Sequence, residues 1–263
     1  MAALLDTLIL PAGAGLAFTD AATGQPVRAG LRCTLRRRRD GATLGFAQAS
    51  PGGVHHWPEL DARWRSPDPL QPPQADVLVQ DEMDRFLPLS LAWPLPAAVT
   101  TVLESGARLA RLSLLSAPQR PAPPGCASVY AQLRWQSDAA PAAWARLTLS
   151  TALGQVTQGC CDAQGVLALH LPMARPQRDA VTGALFANFA LACFADRALA
   201  AAALRLAAPD ALAWAAQAQV RALARADDEA IALESLRIEV GPAAVPITQA
   251  LVPRVSELRL VAL

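Results

Sequence analysis

Three histidines, five cysteines, a run of four arginines and six tryptophans hold most of the chemistry this sequence offers. His55 and His56 are adjacent, so on a strand they face opposite sides and cannot share one metal ion without a bulge. Only His170 remains elsewhere, which leaves little for a Ser-His-Asp arrangement or a zinc centre. The cysteines are odd in number and include no C-x-x-C pair. Cys33, Cys126 and Cys193 lie in apolar runs and are expected as small buried hydrophobes in a reducing compartment. The vicinal pair Cys160-Cys161 is the remaining candidate for redox or metal chemistry. Asp81, Glu82 and Asp84 surround a turn, but their spacing lacks the glycine and the distant glutamate of a calcium loop. A solvated turn is expected there. The sequence contains no G-x-S-x-G, Walker A loop, G-x-G-x-x-G after a strand, or H-E-x-x-H. A glycosidase carboxylate pair is a matter of geometry rather than spacing, and the acidic residues here mostly occupy turns. The reading is a non-enzyme with no catalytic, cofactor-binding or metal-binding residues.

Two features suit a surface. Arg36, Arg37, Arg38 and Arg39, closed by Asp40-Gly41, form either an anion-binding patch or a solvated hairpin end with Asp-Gly as its turn. Without interleaved aromatics, and at a net charge of +1, the hairpin end is favoured. Trp57, Trp64 and Trp144, if exposed, would be stacking platforms for a sugar; this is the alternative reading, a carbohydrate-binding β-sandwich module. These seven residues are the candidate interaction surface.

The near-zero net charge gives no field to draw nucleic acid, so no nucleic-acid partner is expected. Every basic side chain is arginine. The alanine-rich run from Ala198 to Ala216 is broken by Arg205, Pro209 and Asp210, so no membrane span is expected. The N-terminal run lacks a basic n-region and is cut by Asp6 and Pro11, unlike a secretion signal.

The elements that would position these residues read as strands. Ala145, Leu147 and Leu149 alternate with Arg146, Thr148 and Ser150, the period of a strand with one buried face. Asp162-Ala163-Gln164-Gly165 is a turn with Asp at its start and Gly where positive φ is needed, and Val166 to Leu171 is apolar on nearly both faces. Asp20 to Val27 is a turn into a strand, and Ser50-Pro51-Gly52-Gly53 is another turn. Ala75 to Pro96 reads as a hairpin turning at Asp81 to Arg85. The 22 prolines argue against long helices. Pro209-Asp210 nevertheless starts a helical spacing through Leu212, Ala216, Val220 and Leu223, so a helix is expected over Asp210 to Arg225. Ala198 to Leu206 has helical propensity by alanine alone. Ser116 to Gly125, with four prolines, is a stiff linker. The expected division is a first domain at 1–115, a linker at 116–125 and a second domain at 126–263. Acidic turn, proline and alternating strand recur in both halves, as do turn, glycine and strand, so two copies of one β-sandwich plan are expected.

The run Phe18 to Val27 and the run Ser50 to Val54 resemble carboxypeptidase regulatory-like domains, the prealbumin-like relatives of immunoglobulin folds, with "D-x-x-T-G-x-P-V" followed by a turn into a strand. The second copy keeps the later turn at Asp162 to Val166 but lacks Gly before Pro141. Three further segments, Asp84 to Leu91, Leu115 to Gly125 and Pro141 to Leu147, are similar to small β-rich proteins encoded with contractile injection systems, the phage-tail-like particles. The resemblance covers roughly Phe18 to Pro172. It implies a mainly β chain of two tandem Ig-like/prealbumin-like β-sandwich domains, with one helical segment near 210–225. It also implies a structural or adaptor part near the cap or baseplate, assembled in the cytoplasm. Its partners would be other subunits of the assembly, further copies of itself included, with no cofactor and no functional residues carried over.

Overall fold

The computed structural model describes residues 14–58, 74–102, 108–172, 177–178, 180–181, 183, 185–203, 208–226, 229–232, 235–240 and 256–262. The chain is mainly β and builds several sheets. It divides into two compact units: the first is Met1–Thr19, Pro26–Val79 and Leu91–Leu112, the second Asp20–Gln25, Gln80–Ser90 and Ser113–Leu263. The division expected from the sequence placed one cut at 116–125. Two short segments of the N-terminal half, 20–25 and 80–90, group by contact with the C-terminal half.

The first ten strands are β1 (Ala14–Asp20), β2 (Pro26–Val27), β3 (Leu31–Arg37), β4 (Thr43–Phe46), β5 (Gln48–Ala49), β6 (His55–His56), β7 (Ala75–Asp81), β8 (Leu89–Trp93), β9 (Thr100–Val102) and β10 (Arg108–Leu114). They form a sheet ordered β5-β6-β1-β10-β9, with β2 on β1, and a second sheet ordered β4-β3-β7-β8. The β7-β8 pair is the hairpin expected across Asp81 to Arg85. Leu16, Phe18, Cys33, Leu35, Val77, Val79 and Leu91 are buried.

The second unit carries β11 (Cys126–Trp135), β12 (Arg146–Ser150), β13 (Val156–Cys160), β14 (Val166–Pro172), β15 (Gln177–Arg178), β16 (Leu185–Phe194), β17 (Gln219–Ala226), β18 (Glu229–Ala232), β19 (Ser235–Val240) and β20 (Ser256–Ala262). Their main path is β13-β12-β16-β17-β20-β11-β14. Leu147 and Leu149 of β12, Leu133 of β11, Leu167, Leu169 and Leu171 of β14 and Phe189 and Cys193 of β16 share one core. The alternation read in β12 and the double-sided burial of β14 are both present. Where β13 crosses β14, Gly159 leaves no room for a side chain: a Cβ there would sit 2.7 Å from Leu167 Cδ1.

Among the described residues of this unit two helices form, α1 (Arg197–Ala203) and α2 (Ala211–Ala215). Asp210 caps α2 by accepting from the Leu212 and Ala213 amides, each at 3.0 Å. The expected helix over Asp210 to Arg225 is corrected: it stops after five residues, and Gln219 onward is strand. Val220, Ala222 and Ala224 also alternate at period two, and pairing with β16, β18 and β20 decides against the local alanine propensity. The apolar run Leu4 to Leu10, which reads as a first strand or an arm, and Pro246 to Leu251, which reads as a strand, lie outside the described residues.

Two turn designs recur. In one, a residue's N–H bonds the carbonyl five ahead and its own carbonyl accepts from the residue four ahead. It joins Asp20 to Gln25, Arg37 to Ala42 and Trp135 to Ala140, at 2.8–2.9 Å throughout. An oxygen at the fourth position (Thr23, Asp40, Asp138) accepts from the sixth amide at 3.1–3.3 Å. The fifth position has positive φ: 70° at Gly24 and Gly41, 56° at Ala139. The glycine missing before Pro141 is therefore replaced by an alanine held in the same left-handed conformation, at a steric cost. In the other design Ser50, Thr151 and Asp162 each accept with a side-chain oxygen from the amide four ahead, at 2.8–3.2 Å. Each is followed three residues later by a glycine of positive φ, the geometry of a three-residue hairpin loop.

Candidate functional site

The densest polar cluster lies in the second unit. Asp20 accepts from the Ala22 amide at 2.9 Å, Thr23 Oγ1 at 2.8 Å and both Arg120 Nη groups at 2.9 and 2.6 Å. Arg120 also donates to Ser116 Oγ at 2.9 Å and stacks on the Phe86 ring at 4.7 Å. The same ring meets the Arg85 guanidinium at 5.2 Å, and Arg85 is chelated in turn by Asp81. Burial alone would raise the Asp20 carboxyl, but Arg120, Thr23 and the Ala22 amide outweigh it and hold the group below its ordinary value. The expected solvated turn at Asp81 is corrected on one point. Its carboxylate is buried and ion-paired with Arg85 rather than hydrated.

Ser128 and His170 stand opposite each other on β11 and β14, with Ser128 Oγ 2.8 Å from His170 Nδ1. A hydroxyl on an imidazole is half of a nucleophile-and-base pair. Here it is closed off: Ser128 is 4% exposed and His170 1%. Asp20 is engaged by Arg120 rather than orienting the ring, and His170 Nε2 has no hydrogen-bond partner of good geometry, although the Arg120 carbonyl lies nearby. Burial first, then the Arg120 charge, push the imidazole down to about 4 against the opposing pull of Asp20. The pair is a neutral buried bridge between two strands.

A second cluster surrounds Cys160. Trp214 of α2 donates its indole N–H to Cys160 Sγ at 3.1 Å. Leu87, Ala117, Trp144, Leu199 and Ala203 complete this core. Arg146 stacks on Phe194 at 4.0 Å and faces Trp214 at 5.5 Å. Trp144 has φ of 60°, rare for a bulky residue, and its carbonyl accepts from the buried Gln217 Nε2 at 3.0 Å. Burial raises all five thiols, Cys33 and Cys193 to about 12. All five are free and buried, which makes Cys160 and Cys161 packing groups rather than nucleophiles.

The sequence-predicted surface is only partly a surface. Trp57 and Trp144 are 3% and 5% exposed, Trp57 packing edge-on against Trp93 at 5.3 Å, so neither is a sugar platform. This corrects the carbohydrate-binding alternative at two of its three rings; Trp64 lies outside the described residues. Arg36 to Arg39 form the expected hairpin end. Arg37 pairs with Asp40 at 3.1 Å and Arg38 with Asp76 at 2.6 Å, Arg36 is half-buried and Arg39 exposed. The fold therefore does not gather these seven residues into one patch. His55 and His56 are both buried, His55 edge-on to Phe18 at 5.3 Å. Among the described residues no three His, Cys, Asp or Glu side chains gather as a metal-holding group. No described helix is long and apolar enough to cross a membrane.

Asp20 was read only as a turn residue and Arg146 only as the polar face of a strand, and Arg120, inside the proline-rich stretch, carried no signal of its own.

No family model matches the chain, and no curated protein matches it. Among solved structures, the Bacillus anthracis TIE protein aligns with 70% of this chain at 9% identity and a TM-score of 0.20. The chain spans 28% of that structure, and a likeness of this degree carries no argument about fold or function.

Proposed function

We propose that this protein is a non-enzymatic structural or adaptor component that works by docking to other protein subunits. Two Ig-like, prealbumin-like β-sandwich units form its frame, and a contractile injection system, near the cap or baseplate, is its setting. The observation that carries the docking reading is the burial of the reactive side chains. All five thiols, all three imidazoles and the Ser128 hydroxyl lie inside the units, where each packs or bridges strands. The outward features are of a different kind. Leu153 is 80% exposed at the β12-β13 turn, Val156 follows it, and β13 ends the main sheet path. An edge strand flanked by exposed apolar side chains suits contact with another chain. The particle setting rests on the resemblance of Asp84 to Leu91, Leu115 to Gly125 and Pro141 to Leu147.

The test is to tag the chain in its source cell and sediment the lysate. It is expected in the fast-sedimenting fraction with sheath and tube subunits. Recovery as a free chain, or turnover of a glycoside or ester by the pure protein, overturns the reading.

A further inference from the structure

Arginines in this protein follow a repeated arrangement. Arg85 has Phe86 against its guanidinium and Asp81 on its fork; Arg120 has Phe86 and Asp20; Arg197 has Trp135 at 4.6 Å and Asp138 at 2.7 Å. Each pairs a ring with a carboxylate, the two preferences of a planar cation. Arg146 has the rings twice over, Phe194 and Trp214, and among the described residues no carboxylate on its fork. Its Nε is buried without an acceptor, which leaves the two Nη groups as the outward edge of the fork. Burial lowers the tendency of this guanidinium to stay charged, and the neighbouring Cys160 thiol opposes that only in part.

The surroundings are equally plain. Arg146 stands in register between Cys160 of β13 and Phe194 of β16. Side chains alternate along strands, so the same face of these three strands carries Val156, Gln158, Thr148, Ser150, Ala190 and Ala192. All six are small or uncharged, and none is buried. The opposite face holds the core residues Leu147, Leu149 and Cys193.

We propose that this outer β13-β12-β16 face docks an acidic segment of a partner protein, with Arg146 receiving one of its side-chain carboxylates. The inference rests on the docking reading above and names the chemistry of the partner. A carboxylate is favoured over a phosphate because the three complete copies of the arrangement are all filled by aspartate, whose planar fork matches the outward Nη pair. The rings hold the guanidinium in place before the partner arrives, so little ordering remains to be done on binding.

The test is a titration of the 15N-labelled full chain with an acetylated Ala-Glu-Ala-Glu-Ala amide, following the Arg146 Nε–H and Trp214 indole signals. Both are expected to shift saturably in the millimolar range. The glutamine analogue of the peptide should leave them still. Arg146→Lys keeps the charge but loses the planar fork, and is expected to weaken binding about tenfold. Arg146→Gln should abolish it while leaving the melting temperature unchanged or higher, since an unpaired half-buried cation is removed. No saturable shift with the glutamate peptide overturns the proposal. Equal or larger shifts with sulfate also overturn it, in favour of a tetrahedral-anion site. Failure of the peptide with intact co-sedimentation of the chain refutes this inference alone. Peptide binding by a chain that never co-sediments refutes the particle reading instead.

Discussion

Gly154 and Gly165 occupy the same position in the same turn design, with φ of 78° and 75°, yet their surroundings differ. At Gly154 a Cβ would meet nothing within 4 Å. At Gly165 it would collide with the Leu133 carbonyl oxygen of β11 and lie 3.2 Å from the Ala142 amide nitrogen in the loop before β12, both backbone atoms. Gly154→Ala therefore carries only the left-handed penalty of an L-residue, about 1 kcal/mol. Gly165→Ala adds an overpacking term of about 2 kcal/mol, because a carbonyl in a strand cannot swing away as a side-chain tip can. At roughly 3 °C per kcal/mol for a unit of this size, the expected losses in melting temperature are about 3 °C and about 9 °C. Differential scanning calorimetry of the two variants beside the wild type measures the difference directly. Equal losses would refute the claim that the Asp162 turn is pressed against β11.

Other outcomes follow from the buried groups. His170 titrates near 4 in the folded chain against 6.5 unfolded, so its contribution to stability is complete above pH 6.5 and is lost as pH falls from 6.5 toward 4. At about 1.4 kcal/mol per unit this is worth roughly 3 kcal/mol, and urea midpoints of His170→Gln should fall less steeply over that window than those of the wild type. A parallel pH dependence in the variant would contradict the assignment. Arg120→Ala leaves the Asp20 carboxylate buried and uncompensated and is expected to cost about 3–5 kcal/mol; a loss under 1 kcal/mol would mean the pair is solvated. A thiol reagent at pH 8 should find no fast-reacting cysteine in the native chain and five in guanidinium. Rapid labelling of Cys160 or Cys161 would return redox chemistry to that pair.

Strand periodicity and turn chemistry were legible because they are local. The alternation in Arg146 to Ser150, the Asp162 turn and the Arg37-to-Ala42 hairpin end need only neighbouring residues to specify them. The turns at Asp20 to Gln25 and Trp135 to Ala140 share one design, but their register was not legible. Side-chain oxygens align Thr23 with Asp138, whereas matching the acids alone pairs Asp20 with Asp138. The Asp210–Arg225 helix misled because an alanine-rich stretch satisfies both periods, and only its sheet partners choose between them. The tryptophans misled for a similar reason: Trp57 and Trp144 have the composition of a binding face, but their neighbours Trp93, Leu87 and Leu199 come from distant segments. Arg120 meets Asp20 across 100 residues, a separation that leaves no pattern in the chain.

The central claim is that this protein acts by being held among other subunits. Cross-linking mass spectrometry on particles isolated from the source cell tests it most directly. The account predicts stoichiometric recovery of the chain, with cross-links from acidic residues of a neighbouring subunit to engineered lysines at Gln158 and Thr148 beside Arg146. A particle that is complete without the chain would contradict it.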